Sequence, residues 1–229
     1  MHVPDGFLDA PTSLVTAAVA ATGVAIALRG ARRELDDRIA PLAGIIATFV
    51  FAGQMINFPV AGGTSGHLMG GALAAVLVGP CTGLLCLTVV LLVQSLLFAD
   101  GGITALGTNV VLMGVVTVVT GYAVFRVAQL VLPKRLSMVA PAAAIGGFVS
   151  VVLSAATFVV LFSFGGVVPI PFDTLLTAML GVHVLIGVGE AAVTFVVVAS
   201  IVSVRPDLVH GARRVVAVRE LETRLVAAS

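Results

Sequence analysis

The sequence predicts an all-α, polytopic membrane protein with seven transmembrane helices, an N-terminus outside the cell and a C-terminus in the cytoplasm. Composition, charge-free windows and the placement of the basic residues carry this prediction. Of the 229 residues, 59% are hydrophobic and only 10% are charged, against about 25% in an ordinary soluble domain. The mean hydropathy is +1.20. These values exclude a soluble globular domain, a disordered chain and a nucleic-acid-binding protein.

Long windows without Lys or Arg define the spans, since a helix needs about 20 residues to cross ~30 Å of hydrocarbon. The window 58–99 holds two segments, because the turn signal Gly79-Pro80-Cys81-Thr82 divides it. The seven predicted spans are residues 10–28, 39–57, the two parts of 58–99, 101–125, 136–164 and 175–204. All are too long and too uniformly apolar for barrel strands.

The basic residues predict the orientation, because cytoplasmic loops are enriched in Lys and Arg. With seven spans, all 12 Lys and Arg residues fall on one side of the membrane. They follow spans one, five and seven, and they are Arg29, Arg32, Arg33, Arg38, Arg126, Lys134, Arg135, Arg205, Arg213, Arg214, Arg219 and Arg224. The opposite side holds only acidic charges, namely Asp5, Asp9, Asp100 and Asp173.

We expect one transmembrane domain over residues 1–229, with an extracytoplasmic metal-binding segment at 1–9 and a cytoplasmic tail at 205–229. The start has no basic stretch and no cleavage site, so we expect the mature protein to begin at Met1. The tail from Arg213 to Leu225 mixes Arg, Glu, Val and Leu. This mixture is typical of a helix near lipid headgroups and equally of a solvated stop-transfer tail.

The third span is too short for the membrane. A helix from about His67 to Gly79 rises only ~20 Å, about 10 Å less than the hydrocarbon layer. The stretch 58–66 before it contains Gly and Pro and cannot be regular helix. Irregular backbone at membrane depth occurs only inside protein or beside a water-filled cavity. The sequence therefore predicts a cavity that opens to the outside, with His67 at its floor.

His67 is a candidate metal ligand. If Ser65 or Thr64 caps the third helix, His67 lies in its first turn, where the helix dipole disfavours the imidazolium form. A neutral imidazole is the form that binds a metal ion. The alternative is a histidine that only caps a short helix.

His2 is a second candidate because it directly follows Met1. A bulky second residue hinders removal of Met1, which leaves a free amine there. That amine, the amide nitrogen of His2 and its Nδ1 form fused chelate rings. Three coplanar nitrogens suit Ni²⁺ or Cu²⁺, with Co²⁺ possible, and His67 could supply a fourth. The turn signal Pro4-Asp5-Gly6 could fold the terminus back toward the membrane.

Span seven contains two ionisable residues, His183 and Glu190, on one helix face. Ionisable groups within a membrane are functional candidates. His183 could instead make a helix-packing hydrogen bond, and Glu190 could be a proton site or an interhelical acceptor. Together they would form the proton relay of a stand-alone metal permease, which is the alternative function.

Two motifs resemble those of the CbiM and NikM proteins, the substrate-specific components of energy-coupling factor transporters for cobalt and nickel. They are residues 1–8 (MHVPDGFL) and 57–68 (NFPVAGGTSGHL). The resemblance covers nearly the whole chain. It implies that the amine of Met1, the amide and imidazole nitrogens of His2 and the imidazole of His67 bind the transported Ni²⁺ or Co²⁺. The residues expected around this site are Asn57, Ser65, His183 and Glu190.

The resemblance also implies partners: a transmembrane coupling (T) subunit, cytoplasmic ATPase subunits and a small accessory membrane subunit. Without a Walker motif this chain is not expected to hydrolyse ATP. The small-residue ladder Ala17, Ala21 and Ala25 could meet the coupling subunit or pack within the molecule. The expected location is the inner (cell) membrane of a bacterium or archaeon.

An enzyme is not expected, and neither is a catalytic cofactor. An intramembrane metalloenzyme would need an open coordination position and a general base. Four nitrogens in a plane leave no obvious labile position, and no second acidic residue is near His67 in the sequence. The choice between nickel and cobalt stays open, since the planar site favours nickel but relatives that take cobalt share the same start.

Overall fold

The computed structural model describes residues 2–56, 58–59 and 65–218, and most of this part is helical. Its helices are α1 (Ala10–Glu34), α2 (Ile39–Gln54), α3 (Gly71–Val78), α4 (Pro80–Leu97), α5 (Leu106–Val131), α6 (Val139–Gly165) and α7 (Phe172–Val204). Five of these, α1 and α4 to α7, are long and apolar enough to cross a membrane. The all-α class is confirmed, whereas the number of crossings and the orientation stay predictions.

The chain between α2 and α3 departs from the sequence prediction. Strand β1 (Phe58–Pro59) pairs antiparallel with β2 (Ser65–Gly66) in a two-residue ladder that was not predicted. Helix α3 then begins at Gly71, with Gly70 as its N-cap at a φ of 78°. The prediction that His67 lies in the first turn was therefore wrong, because the backbone stays non-helical up to Gly70. Thr64, the other predicted cap, lies outside the described residues.

Helix α3 is the centre of the bundle, and all 8 of its residues are buried. It rises about 12 Å, so it is even shorter than expected. Two glycines permit the close packing around it. A Cβ atom at Gly83 on α4 would lie 2.9 Å from the backbone nitrogen of Ala75, and one at Gly71 would lie 2.6 Å from Cβ of Thr117 on α5.

Helix α5 contains a π-helical section, Val110–Val116. Ser154 on α6 donates a hydrogen bond to the carbonyl of Leu112 inside this section (2.8 Å). The buried Asn109 directly precedes it. Single π turns within α-helices are frequent at functional sites, and Asn109 does belong to the site described below.

Helix α7 packs along α6 and has 33 residues. Its buried stripe recurs every three or four residues, as expected for one helix face. The stripe includes four polar or flexible side chains: Met179, His183, Glu190 and Thr194. A helix face that carries such groups into an otherwise apolar interior calls for partners from other elements.

The basic residues of the described part of the chain lie together at one end of the bundle, called the basic end below. Asp36 interacts electrostatically with Arg213, and Asp207 interacts with Arg38. The tail is packed there, because Val209 and Ala212 are fully buried. Residues 213–218 are helical, and this part of the tail agrees with the helix predicted there. The predicted part 219–225 lies outside the described residues.

Candidate metal site

Residues 2–9, called the N-terminal segment, lie across the end of the bundle opposite the basic end. Val3 is buried and makes three hydrogen bonds there. Its N–H donates to Asn109 Oδ1 (2.7 Å), and its carbonyl accepts from Asn109 Nδ2 (3.2 Å) and from the N–H of Gly102 (2.9 Å). Asn109 thus pairs with the backbone of the segment as a neighbouring strand would.

The far end of the segment is fixed to α6 and the loop after it. Asp9 N–H donates to the carbonyl of Gly165 (2.7 Å), and Val167 N–H donates to the carbonyl of Phe7 (3.2 Å). The Phe7 ring packs against Phe158 and Phe162, with centroids 5.9 and 5.4 Å away. Apolar burial and backbone hydrogen bonds therefore hold this end.

The middle of the segment turns at residues 5–6, where Gly6 adopts a φ of 73°. Asp5 accepts hydrogen bonds from the Thr104 hydroxyl (2.5 Å) and the Thr104 N–H (2.7 Å). These bonds lower the pKa of the Asp5 carboxyl. The turn directs the first residues back into the protein.

His2, the first residue of this segment, is buried and has two polar neighbours. Its Nε2 lies 3.0 Å from Gln94 Oε1 at the end of α4. Because that oxygen only accepts, Nε2 carries the proton and Nδ1 keeps its lone pair. Nδ1 faces Asp100 Oδ1 at 3.2 Å, outside hydrogen-bond geometry. Burial outweighs the attraction of Asp100 and lowers the pKa of His2 to about 4, so the ring is neutral at neutral pH.

His67 is fully buried and stacks on His2. The ring centroids are 4.5 Å apart, and the planes differ by 29°. His67 Nδ1 donates to the carbonyl of Leu68 (2.6 Å), which leaves the lone pair on Nε2. That atom is buried without a hydrogen-bond partner among the described residues. Both rings therefore present one nitrogen in the form that binds a metal ion.

The loop 65–70, called the His67 loop, is held by buried side chains from two helices. Glu190 on α7 accepts from the N–H groups of Met69 and Gly70, each at 2.8 Å. Gln54 on α2 donates to the carbonyl of Met69 (2.7 Å). Glu190 is thus an interhelical acceptor, one of the two roles proposed for it from the sequence.

His183 lies on the same stripe of α7 and is also fully buried. Its Nδ1 donates to the carbonyl of Met179 (2.7 Å), and its Nε2 has no partner among the described residues. His183 interacts electrostatically with His67. The structure thus places His183 near the site, in the same tautomer as His67.

The described part of the chain brings His2, His67, Glu190 and His183 into one region. Met1 and Asn57 lie outside the described residues, and Ser65 lies in β2. Among the described residues, no three His, Cys, Asp or Glu side chains form a metal-binding group. The predicted chelate does not require one, because two of its four nitrogens belong to the backbone of residues 1 and 2.

Among the described residues, the predicted cavity above His67 is not open to the outside. The ring is fully buried, and the N-terminal segment packs over the site instead. Sequence reasoning also missed Gln94, Asp100 and Asn109 as neighbours of this segment. Gln94 and Asn109 are amide side chains inside apolar helices, a signal that the sequence did contain, since buried polar groups need partners.

The alanine ladder of α1 lies on an exposed face. Ala17, Ala21 and Ala25 are all exposed, whereas the buried residues of α1 are Thr16, Ala20, Ala27 and Ala31. The backbone of Ala17 does lie close to Gly107, where an added Cβ would be 2.4 Å from the Ala17 Cα. The ladder is therefore open to a partner along most of its length.

Comparisons with known proteins agree with this architecture. Residues 2–208 match the family model CbiM, described as the cobalt uptake substrate-specific transmembrane region. A putative metal transport protein of Haloquadratum walsbyi is 41% identical over 91% of this chain and 93% of its own length. A putative fused nickel transport protein, NikMN, of Archaeoglobus fulgidus is 39% identical over 92% of this chain and 68% of its own length.

A solved structure shares the fold. The crystal structure of a truncated transition metal transporter superposes with a TM-score of 0.82, is 30% identical and covers 89% of this chain and 99% of its own. The family model, the relatives and this structure all span the helices that form the site. The chain therefore belongs to the CbiM family and is a membrane protein of metal transport.

Proposed function

We propose that the chain captures Ni²⁺ or Co²⁺ on the outer side of the membrane, as the substrate-specific component of an energy-coupling factor importer. The proposed ligands are the amine of Met1, the amide nitrogen and Nδ1 of His2, and Nε2 of His67. The observation that carries the proposal is the buried pair of stacked, neutral imidazoles, each with one nitrogen lone pair kept free for a ligand.

The hydrogen bonds favour this assignment atom by atom. Gln94 Oε1 accepts a hydrogen bond from Nε2–H of His2, so the lone pair is on Nδ1, the nitrogen that can close a chelate ring with the amide of the same residue. The carbonyl of Leu68 accepts a hydrogen bond from Nδ1–H of His67, so its lone pair is on Nε2. Nitrogen donors of this kind suit late first-row divalent ions.

Asp100 supports the binding of a cation. Its carboxylate lies 3.2 Å from His2 Nδ1, so it offers a negative charge beside a divalent ion in a buried site. Such a charge offsets part of the cost of removing the ion from water. Its negative charge also favours cations over anions at this end of the bundle, opposite the basic end.

The partners follow from the family. A coupling subunit and ATPase subunits are proposed because this chain carries no nucleotide-binding motif of its own. The exposed face of Ala17, Ala21 and Ala25 suits close approach of a helix of the coupling subunit. A separate accessory membrane subunit is part of the same proposal.

The alternative of a proton-coupled permease gains no support from Glu190. Both of its oxygens already accept backbone hydrogen bonds, and Nδ1 of His183 is fixed to Met179. A relay would need these groups to exchange protons with each other or with water. Uptake by the purified chain alone in liposomes would favour the permease, and we expect none.

His67→Ala tests the proposed site. Loss of one of four ligands in a buried site should abolish high-affinity Ni²⁺ and Co²⁺ binding, measured by calorimetric titration of the purified protein with an unmodified N-terminus. His210→Ala, at the basic end, is the matched control and should bind like the wild type. His183→Ala should have a milder effect. Wild-type affinity in the His67 variant would refute the ligand assignment.

A further inference from the structure

A groove of about 220 Å³ lies at the basic end of the bundle, far from the metal site. The last turns of α5, the loop to α6 and the helical residues 213–218 enclose it. Four basic side chains line it, namely Arg126, Lys134, Arg135 and Arg214. We call it the basic groove.

The described lining of the groove carries basic side chains and no acidic one. The described Arg–carboxylate ion pair at this end, between Arg205 and Asp207, lies outside the groove. The guanidinium of Arg126 donates to the neutral side chain of Gln129 (2.8 Å). Four cations in a lining that holds no carboxylate repel one another and attract a negatively charged ligand.

The remaining lining is apolar. Leu130, Met138 and Val215 are part of it. The last turn of α5 continues this surface outward, since Leu130 is 78% exposed and Val131 is 82% exposed. In a chain with membrane-spanning helices, such residues at a helix end contact lipid. The groove therefore joins a cationic patch to a lipid-facing surface, which fits a ligand with an anionic head and an apolar chain.

The basic side chains surround a compact space. A phosphate with its glycerol can enter it, while the acyl chains stay outside along α5. Basic pockets between transmembrane helices on the cytoplasmic side bind phospholipid headgroups in other membrane proteins.

We propose that the basic groove binds the headgroup of an anionic phospholipid from the adjacent leaflet. The phosphate contacts Arg126 and Arg214, and an acyl chain lies along Leu130 and Val131. Bound lipid would tie the tail helix to the loop between α5 and α6. This site is independent of the proposed metal site, so either proposal can fail without the other.

The test uses the full-length protein in nanodiscs of phosphatidylcholine with a minor fraction of phosphatidylglycerol. The protein is then released from the nanodiscs, and native mass spectrometry counts the phosphatidylglycerol molecules that it retains. The double variant Arg126→Gln with Arg214→Gln should retain at least tenfold less than the wild type. Arg205→Gln removes a cation at the same end but outside the groove, and it should retain the wild-type amount. Arg126→Lys with Arg214→Lys keeps the charge and should largely restore retention.

Four results would overturn the proposal. One is equal retention of phosphatidylglycerol by the wild type and the glutamine variant. Another is equal retention of phosphatidylcholine and phosphatidylglycerol by the wild type. A third is displacement of the lipid by millimolar inorganic phosphate, which would identify a site for free phosphate. The last is retention only after deletion of residues 219–229, which would identify the chain's own tail as the occupant.

Discussion

The two segments that meet at the metal site are held in different ways. The N-terminal segment is fixed by backbone hydrogen bonds, by Asn109 and by the packing of Phe7. The His67 loop also buries an apolar side chain, Met69, in the same core as Phe7. Its backbone, however, is held by two buried polar side chains, Glu190 and Gln54. Both halves of the site are thus packed against the core, but only the backbone of the His67 loop is fixed by a buried carboxylate.

This difference follows from where each segment lies. The His67 loop crosses the interior of the bundle without helical structure, so its N–H groups would cost free energy if left unpaired. Glu190 is 2% exposed and satisfies two of them. The N-terminal segment lies at the bundle end, where Asp5 and Gly6 are exposed. There, apolar side chains turned inward can supply the anchoring.

A second carboxylate, at the basic end, also accepts hydrogen bonds from two consecutive backbone N–H groups. Glu34 accepts from the N–H groups of Cys81 (3.2 Å) and Thr82 (2.7 Å) in the first turn of α4. Glu34 is partly exposed, whereas Glu190 is buried. Water can replace Glu34 as the hydrogen-bond acceptor, but it cannot reach the groups that Glu190 holds. The two glutamates therefore form a matched pair for testing.

Among the substitutions that test how the two segments are held, Glu190→Gln should have the largest effect. Glutamine keeps one acceptor oxygen but turns an N–H donor toward a backbone N–H, which costs about 2 kcal/mol for a buried, charge-assisted bond. If this cost falls on the His67 loop, affinity for Ni²⁺ should drop roughly thirtyfold. Calorimetric titration measures it. Glu34→Gln should change the Ni²⁺ affinity less than threefold. Equal effects of the two variants would show that the buried carboxylate of Glu190 has no special role in holding the His67 loop.

Gly102→Ala should have a smaller effect, on the other half of the site. A Cβ atom there would lie 2.4 Å from the backbone nitrogen of Asp5, so the N-terminal segment must shift. Because a packed segment can adjust, we expect about a tenfold loss of Ni²⁺ affinity by the same titration. Gly181→Ala is the control, since nothing lies within 4 Å of its added Cβ. Unchanged affinity in the Gly102 variant would show that the segment does not set ligand positions.

The smallest expected effect is one of pH on the metal-free protein. The pKa of His2 is lowered to about 4, below its ordinary value of 6.5. Between these values the unfolded chain binds a proton that the folded protein does not. The stability contributed is therefore complete above pH 6.5 and is lost as the pH falls toward 4. With metal removed by a chelator, Tm should fall by a few degrees over this range.

His2→Gln isolates this contribution, because every other titrating group remains. Its Tm should depend less steeply on pH between 6.5 and 4 than that of the wild type. An identical pH dependence in the two proteins would show that the His2 ring is not desolvated in the metal-free state.

The helices could be largely predicted from the sequence, because charge-free windows depend only on composition. Helix α3 was the exception. Its start was placed at His67 instead of Gly71, since the groups that keep residues 67–70 non-helical come from α2 and α7. The carboxylate of Glu190 is 120 positions away from Gly70. Hydrogen bonds of that separation leave no local sequence pattern.

Only part of the site could be predicted, again because long-range contacts leave no local sequence pattern. Local chemistry at the chain start singled out His2, and the short span singled out His67. The pairing of His2 with Gln94, 92 positions apart, and of Val3 with Asn109, 106 positions apart, depends on the packing of α4 against α5. The cover that the N-terminal segment provides over His67 likewise depends on where Phe7 and Leu8 are buried.

The central claim is that the first atoms of the chain are metal ligands. The most direct measurement is the Ni²⁺ affinity of two purified proteins, one with a single uncleaved residue added before Met1 and one with the same residue added after Ser229. The first addition converts the amine of Met1 into an amide, a far poorer donor, and pushes backbone into a buried site. The second addition leaves the amine of Met1 and the other proposed ligands unchanged.

We predict at least a hundredfold loss of affinity in the N-terminally extended protein and wild-type affinity in the C-terminally extended one. Circular dichroism and size-exclusion chromatography should show that both are folded. Wild-type affinity in the folded, N-terminally extended protein would contradict the claim, because the amine of Met1 could then not be a ligand.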